Sequence, residues 1–210
     1  RFLPAQRGNL AAGGRLQALA VRDRKTFDTR NFAETGAPKL PVGDAVAVQW
    51  VDLENVTPQR DDLRMRGADA GAALFARGEG LWFGDNELFI ACTNGGIGQR
   101  GQIFRYVPSP AEGTAGEDRN PGRLQLFLEP NNAQTLESCD NISVAPWGDL
   151  FICEDNAAPA IAVVRQTASN YVRGVTPAGK MYTFARNHYS TGTSELSGLH
   201  FAPKIGRAHV

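Results

Sequence analysis

The chain has 210 residues, and its 22 basic and 22 acidic side chains leave no net charge at pH 7. Surfaces that bind nucleic acid are usually basic, so this balance argues against a nucleic-acid partner. No apolar stretch approaches the roughly 18 to 20 residues that a membrane helix needs, which predicts that no segment spans a membrane. We also expect a monomer.

Short strand-like runs, bounded by Gly, Pro, Asn and Asp, dominate the chain and predict an all-β fold. The first clear run covers 14–21. The stretch 22–74 that follows is charged and Pro-rich, with one strand-like run at 45–51. We interpret 22–74 as a long insertion on a loop, and a loop of this length is expected to hold some structure of its own.

From residue 80 onward, a unit of four short strands occurs twice. The predicted strands are 80–83, 87–92, 102–107 and 123–128 in the first unit, and 141–145, 149–153, 171–175 and 180–184 in the second. Four short strands in a unit of roughly 40 to 60 residues are typical of the blades of a β-propeller. The sequence therefore predicts a partial β-propeller, with two complete four-stranded blades, parts of two others and the long insertion.

Both ends of the chain are unusual for a closed propeller. Residues 1–4 resemble 105–108, which lie inside a unit, and 195–203 have the pattern of the first strand of a further unit. We expect 1–203 to be a fragment of a single propeller domain, inactive and only marginally stable by itself, because its terminal blades would expose apolar faces and sheet edges. Residues 204–210 are predicted to be a non-native tail, with a natural polar tail as the alternative.

An acidic residue stands at the start of the first strand of each successive unit. These residues are Glu79, Asp140 and Glu195, at spacings of 61 and 55 residues. The first strands of propeller blades line the central channel, so the three side chains should gather near one axis. Carboxylates and Asn carbonyls are ligands that Ca²⁺ prefers, and Asn141 follows Asp140 directly. The pattern predicts a metal site; acids that only cap turns or lie in solvent are the alternative.

Three further charged residues stand close to these positions. Glu154 and Asp155 follow the second strand of the second unit, and Arg77 lies two residues before Glu79. Side chains two residues apart on a strand share a face, so Arg77 and Glu79 should point the same way. The guanidinium is well shaped to hold a phosphate or a carboxylate through two hydrogen bonds. Arg77 is thus a candidate for binding phosphate, and simple pairing with a neighbouring acid is the alternative.

The three cysteines, Cys92, Cys139 and Cys153, are too few and too scattered for a disulfide framework. Cys92 and Cys153 are 61 residues apart, the same offset as Glu79 and Asp140. A free cysteine behaves as a small hydrophobic residue. We therefore interpret Cys92 and Cys153 as equivalent buried strand positions of the two units.

Several strings of the sequence carry a family resemblance. They are 75–85 (FARGEGLWFGD), 92–96 (CTNGG), 101–106 (GQIFRY), 140–155 (DNISVAPWGDLFICED), 174–177 (GVTP), 182–187 (YTFARN) and 194–198 (SELSG). These motifs are similar to those of the PhoX-type alkaline phosphatase family, and the likeness runs from Arg1 to about Pro203. It is loose across 22–65 and specific in the second half of the chain.

The resemblance implies a bacterial phosphomonoesterase with a propeller fold, periplasmic or extracellular, that acts on small phosphate esters with calcium together with iron. It implies that Arg77 contacts the substrate phosphate. The metal-ligand candidates that it implies are Glu79, Asp140, Asn141, Glu154, Asp155 and Glu195. The family also uses a cysteine as an iron ligand, in an Asn-Cys-Ala-Gly-Gly segment that this chain does not contain.

Two other functions stay open on the sequence. A calcium-dependent propeller lactonase or esterase would also place acids and Asn near the axis. A non-catalytic propeller would use a metal only as a structural staple and its faces to bind partners. Metal analysis distinguishes the three hypotheses. Iron together with calcium supports the phosphatase, calcium alone leaves the other two functions open, and the absence of metal favours the non-catalytic propeller.

Overall fold

The computed structural model describes residues 1–57, 59–155, 170–188 and 195–202. Within these residues the chain forms eleven β-strands and one short α-helix. The elements are β1 (Phe2–Gln6), β2 (Asn9–Val21), β3 (Ala45–Leu53), α1 (Leu63–Asp69), β4 (Gly78–Gly84), β5 (Glu87–Cys92), β6 (Gln102–Val107), β7 (Arg123–Leu128), β8 (Cys139–Val144), β9 (Leu150–Glu154), β10 (Tyr171–Val175) and β11 (Met181–Arg186). The predicted all-β class is confirmed. In the described part of the chain, no helix is both long and apolar enough to cross a membrane.

The strands form two antiparallel sheets. The first sheet has seven strands in the order β1-β2-β3-β7-β6-β5-β4, and the second has four in the order β11-β10-β9-β8. All eight strands predicted for the two units are present, and within each unit every strand pairs with the next. The partial propeller and its number of blades remain predictions.

The β4–β5 hairpin shows how local sequence sets this pairing. Asp85 and Asn86 connect the two strands and both have positive φ, 43° and 60°. A two-residue turn with positive φ at both positions matches the twist of antiparallel strands, and Asn and Asp tolerate that conformation well. The turn residues therefore set the pairing of Gly84 with Glu87 at the end of the hairpin.

The structure differs from expectation inside the predicted insertion 22–74. Its strand-like run lengthens to β3 and pairs with β2 on one side and with β7 on the other. The alternating Val46, Val48 and Trp50 pack on one apolar cluster with Leu124 of β7. Because β3 buries this face against the core, it is part of the first sheet and extends the predicted four-stranded blade to seven strands.

A second difference concerns 195–203, which was predicted to be a strand. The described residues 195–202 form no regular secondary structure. Leu196, Leu199 and Phe201 nevertheless pack on the outer face of the second sheet, against Phe151. The apolar alternation in this segment thus produces packing without strand pairing, because no neighbouring strand hydrogen-bonds to it in the described part of the chain.

The two sheets pack face to face. Glycines in β4 let β4 and β8, the first strands of the two four-stranded units, come close. The shared apolar core includes Phe89 and Ile103 of the first sheet and Ile142 and Ile152 of the second. A Cβ at Gly80 would lie 2.2 Å from the carbonyl oxygen of Asp140, and a Cβ at Gly84 would lie 2.9 Å from the side chain of Val144. Only glycine permits such an approach, so these positions bring the starts of β4 and β8 together.

The register of the two first strands confirms that Glu79 and Asp140 are equivalent positions. In β4 the pairing shifts between Gly78 and Leu81, and in β8 it shifts between Cys139 and Ile142. Each acid therefore lies in a β-bulge at the same point of its strand. Bulges often re-aim side chains beside functional sites.

The same register shows that the predicted equivalence of Cys92 and Cys153 is wrong. Cys92 pairs with Gly78 at the start of β4, and the residue that pairs with the corresponding Cys139 is Glu154. The hairpin of the second unit is one residue longer, and a shift of one residue moves a side chain to the other face of the sheet. Cys92 and Cys153 are both buried free thiols, as predicted, but they belong to different clusters.

Candidate active site

Arg77 lies immediately before β4 in a left-handed backbone conformation, with φ of 48°. Its carbonyl accepts a hydrogen bond of 3.0 Å from the amide of Thr93. Ser138 before β8 repeats this geometry, with φ of 51° and a carbonyl that accepts from the amide of Asp155 at 2.9 Å. Both units thus turn the chain in the same way just ahead of the bulge that carries the acid.

The side chain of Arg77 stands between acids of both sheets. Its Nε lies 3.3 Å from Oε1 of Glu79, and its Nη2 lies 3.7 Å from Oδ2 of Asp155. The Arg77 side chain is 49 % exposed, whereas the Asp155 side chain is only 13 % exposed. Arg77 is therefore held by two carboxylates and remains accessible to a ligand from solvent.

Asn141 connects β8 to the segment 195–202. Its amide nitrogen donates a hydrogen bond of 3.1 Å to Oδ1 of Asp140, a residue that is buried. Its amide oxygen accepts a hydrogen bond of 3.0 Å from the backbone amide of Gly198. Asn141 thereby holds Gly198 beside the bulge, three residues after Glu195.

Glu195 faces the other acids of the site. The pKa of Glu195 is raised. Burial is the largest cause, followed by the charge of Asp155, a side-chain hydrogen bond with Asp140 and the charges of Asp140 and Glu79. Like charges disfavour the ionised form of a carboxyl group. Four carboxyl groups from three parts of the chain therefore lie in one region, and their charges add to the effect of burial on the pKa of Glu195.

Glu154 is not brought into this group. Its carboxylate accepts from Nε of Arg173 at 2.9 Å and from the backbone amides of Glu137 and Tyr171, at 3.2 and 3.0 Å. Both partners of the ion pair are buried, with side chains 2 % and 8 % exposed. Successive strand residues point to opposite faces, which separates Glu154 from Asp155. These contacts give Glu154 a structural role in binding β10 to β9.

The residues of this acidic region agree with calcium in donor chemistry, since they supply carboxylate and amide oxygens. No three His, Cys, Asp or Glu side chains within the described residues are arranged to hold a metal ion together. The thiol of Cys139 is buried and lies 3.4 Å from the carbonyl oxygen of Gln102, and burial raises its pKa above the ordinary value of 9.0.

The sequence did not point to two features beside this region. Gly198 contributes its amide to Asn141, and Trp82 forms an aromatic pair with His200 next to Glu79. Trp82 could have been suspected, because it alternates with Leu81 and Phe83 and must face the other side of β4. Nothing in the sequence indicates that His200 lies against Trp82, since the two residues meet only through the packing of 195–202.

The sequence model of the alkaline phosphatase PhoX family matches residues 1–205 of the chain. The match covers nearly the whole chain, which therefore belongs to this family. No curated protein and no solved structure matches the chain.

Proposed function

We propose that the chain carries the phosphate-binding part of a phosphomonoesterase, with Arg77 as the residue that contacts the phosphate. Family membership supports a phosphatase. The observation that carries the assignment to this region is the position of Arg77, between Glu79 of the first sheet and Asp155 after the second, with half of its side chain open to solvent.

Arg77 has the properties that phosphate binding needs. A guanidinium can donate two parallel hydrogen bonds to phosphate oxygens, and it stays charged at alkaline pH. The Glu79 contact at 3.3 Å and the Asp155 contact at 3.7 Å orient its side chain. Neither contact is short enough to be a strong hydrogen bond, so donors of Arg77 remain available to a substrate.

We infer that calcium, and by family likeness iron, is held by Glu79, Asp140, Asp155 and Glu195 with Asn141. Supporting this is the raised pKa of Glu195, whose neighbours are three other acids. A cation would neutralise these like charges and, when bound, would stabilise the negative charge of a transferring phosphoryl group. Calcium takes about six to eight oxygen ligands, so water and phosphate oxygens would complete the shell around these side chains.

The remaining parts of the proposal follow the family. The substrate would be a small phosphate ester, and the protein would act in the periplasm or outside the cell. The uncharged balance of 22 basic and 22 acidic residues is consistent with a small-molecule partner. The chain would act as a monomer.

The test is hydrolysis of p-nitrophenyl phosphate by the protein as its gene encodes it, with calcium, with calcium and iron, and after chelation. We expect activity that needs metal and that falls at least about 100-fold in Glu79→Gln, because a cation held less firmly there would stabilise less of the transition-state charge. The matched control is Glu87→Gln, an acid at the far end of the same hairpin that pairs with Arg105. Full activity of Glu79→Gln, or activity on a lactone but on no phosphate ester, would contradict the proposal.

A further inference from the structure

A groove of about 310 Å³ opens directly beside the charged region. Its lining residues include Glu79 and Asn141, together with Trp82, Ile142, Leu199 and His200. Its volume is at the lower limit of small-molecule pockets. Since Glu79 also contacts Arg77, the groove begins where the proposed phosphate site ends.

The walls of this groove are mainly apolar and aromatic. Trp82 and His200 lie with ring centroids 5.7 Å apart at an interplanar angle of 57°. Trp82 also packs on the apolar core shared by the two sheets, and it is only partly buried. The side-chain nitrogen and oxygen of Asn141 each make one hydrogen bond, to Asp140 and to Gly198. The groove therefore offers an aromatic surface, formed by Trp82 and His200, beside the carboxylate of Glu79.

We propose that this groove binds the alcohol part of the phosphate ester and that it favours an aromatic alcohol, with Trp82 as the main specificity-determining residue. This inference rests on the proposed function, because it takes the phosphate to lie at Arg77. An ester held there extends its leaving group past Glu79, which lines both regions. Aromatic rings pack favourably against Trp in offset or edge-on arrangements, beyond the gain from buried area.

The decisive comparison is kcat/KM for phenyl phosphate against glycerol phosphate in wild type, Trp82→Ala and Phe83→Ala. We expect Trp82→Ala to lower the phenyl-to-glycerol ratio about tenfold, mainly through a higher KM for phenyl phosphate, with kcat nearly unchanged. Phe83 is the matched control, since it follows Trp82 in β4, is 59 % exposed and does not line the groove. An equal drop in Phe83→Ala, or an unchanged ratio in Trp82→Ala, would overturn the proposal.

Calorimetry with non-hydrolysable phosphonates tests the same groove without turnover. Phenylphosphonate should bind about tenfold more tightly than methylphosphonate to wild type and to Phe83→Ala, but with nearly equal affinity to Trp82→Ala. Thermal melting checks the fold of each variant, and Trp82→Leu, which keeps the apolar bulk, replaces Trp82→Ala if that variant does not fold.

The outcomes separate the groove from the proposed function. Hydrolysis of glycerol phosphate without any Trp82-dependent preference for phenyl esters would refute the groove and leave the phosphatase intact. Tighter binding of phenylphosphonate through Trp82, with no hydrolysis of any phosphate ester, would uphold the groove and refute the phosphatase.

Discussion

Replacing Arg77 by Ala separates a functional role from a structural one, because the two predict effects of different size. The Arg77 side chain is 49 % exposed, and its contacts with Glu79 and Asp155 are 3.3 and 3.7 Å long. Exposed ion pairs contribute about 0.2 to 1 kcal/mol, so the free energy of unfolding should fall by less than about 2 kcal/mol. The left-handed backbone adds nothing to this difference, since Ala and Arg both carry a Cβ there.

The expected loss of activity is larger than the loss of stability. Removing one donor that stabilises developing charge lowers the rate about 100- to 1000-fold, which is about 2.7 to 4 kcal/mol. We therefore expect Arg77→Ala to lower kcat/KM on p-nitrophenyl phosphate by that factor while the protein stays folded. Arg77→Lys, which keeps the charge but loses the planar pair of donors, should be intermediate.

Calcium binding gives an independent readout for the same variant. Arg77 forms ion pairs with both Glu79 and Asp155, so its removal leaves more uncompensated negative charge and should keep calcium affinity unchanged or increase it. The assay combines kcat/KM, thermal melting and a calcium titration. Arg15→Ala is the control, since Arg15 forms an exposed ion pair with Asp52 at 2.8 Å. A folded Arg77→Ala variant with activity within about threefold of wild type would refute the assignment of Arg77.

Three other predictions concern the neighbourhood of the site. Glu154→Ala should lower the free energy of unfolding by about 3 to 5 kcal/mol in a denaturant titration, because it leaves Arg173 buried without its partner; weaker calcium binding at unchanged stability would instead make Glu154 a ligand. Gly80→Ala should melt well below Gly78→Ala, since a Cβ at Gly80 would meet the β8 backbone at 2.2 Å whereas one at Gly78 has no atom within 4 Å; equal melting temperatures would contradict the close approach of β4 to β8. The pKa of Glu195 is raised from 4.5, so its contribution to stability is full below that pH and is lost as pH rises through the raised pKa. Without metal, Glu195→Gln should therefore melt above wild type at pH 7 but not at pH 4, and calcium should remove the difference; a gain that does not depend on pH would be inconsistent with this charge repulsion.

Strand positions in the second half of the chain could be predicted because their causes are local. Turn residues such as Asp85 and Asn86, together with the alternation of apolar side chains, set the hairpins of both units. The partner of Ala45–Leu53 could not be predicted in the same way. Its pairing with β7 joins residues about 80 positions apart, such as Ala45 and Gln125. Pairing over such distances depends on which apolar faces meet in the folded core.

For the charged residues, too, the sequence predicted some positions and the fold decided others. The repeat spacing alone placed Glu79 and Asp140 at equivalent positions, and the paired bulges confirm it. The repeat spacing could not distinguish Glu154 from Asp155, which are adjacent in sequence and chemically alike. The register of β9 directs Glu154 to Arg173 and brings Asp155 to Arg77.

The sequence by itself determined the all-β class, the strand order within each unit and the acid that starts each first strand, since these depend on residue type and spacing. Only the tertiary structure decided which of these acids lie close together. Gly80 lets β4 approach β8, and the bond from Gly198 to Asn141 holds the segment that carries Glu195 beside them. These contacts join parts of the chain that are far apart in sequence, and the free energy of packing the two sheets decides whether they form.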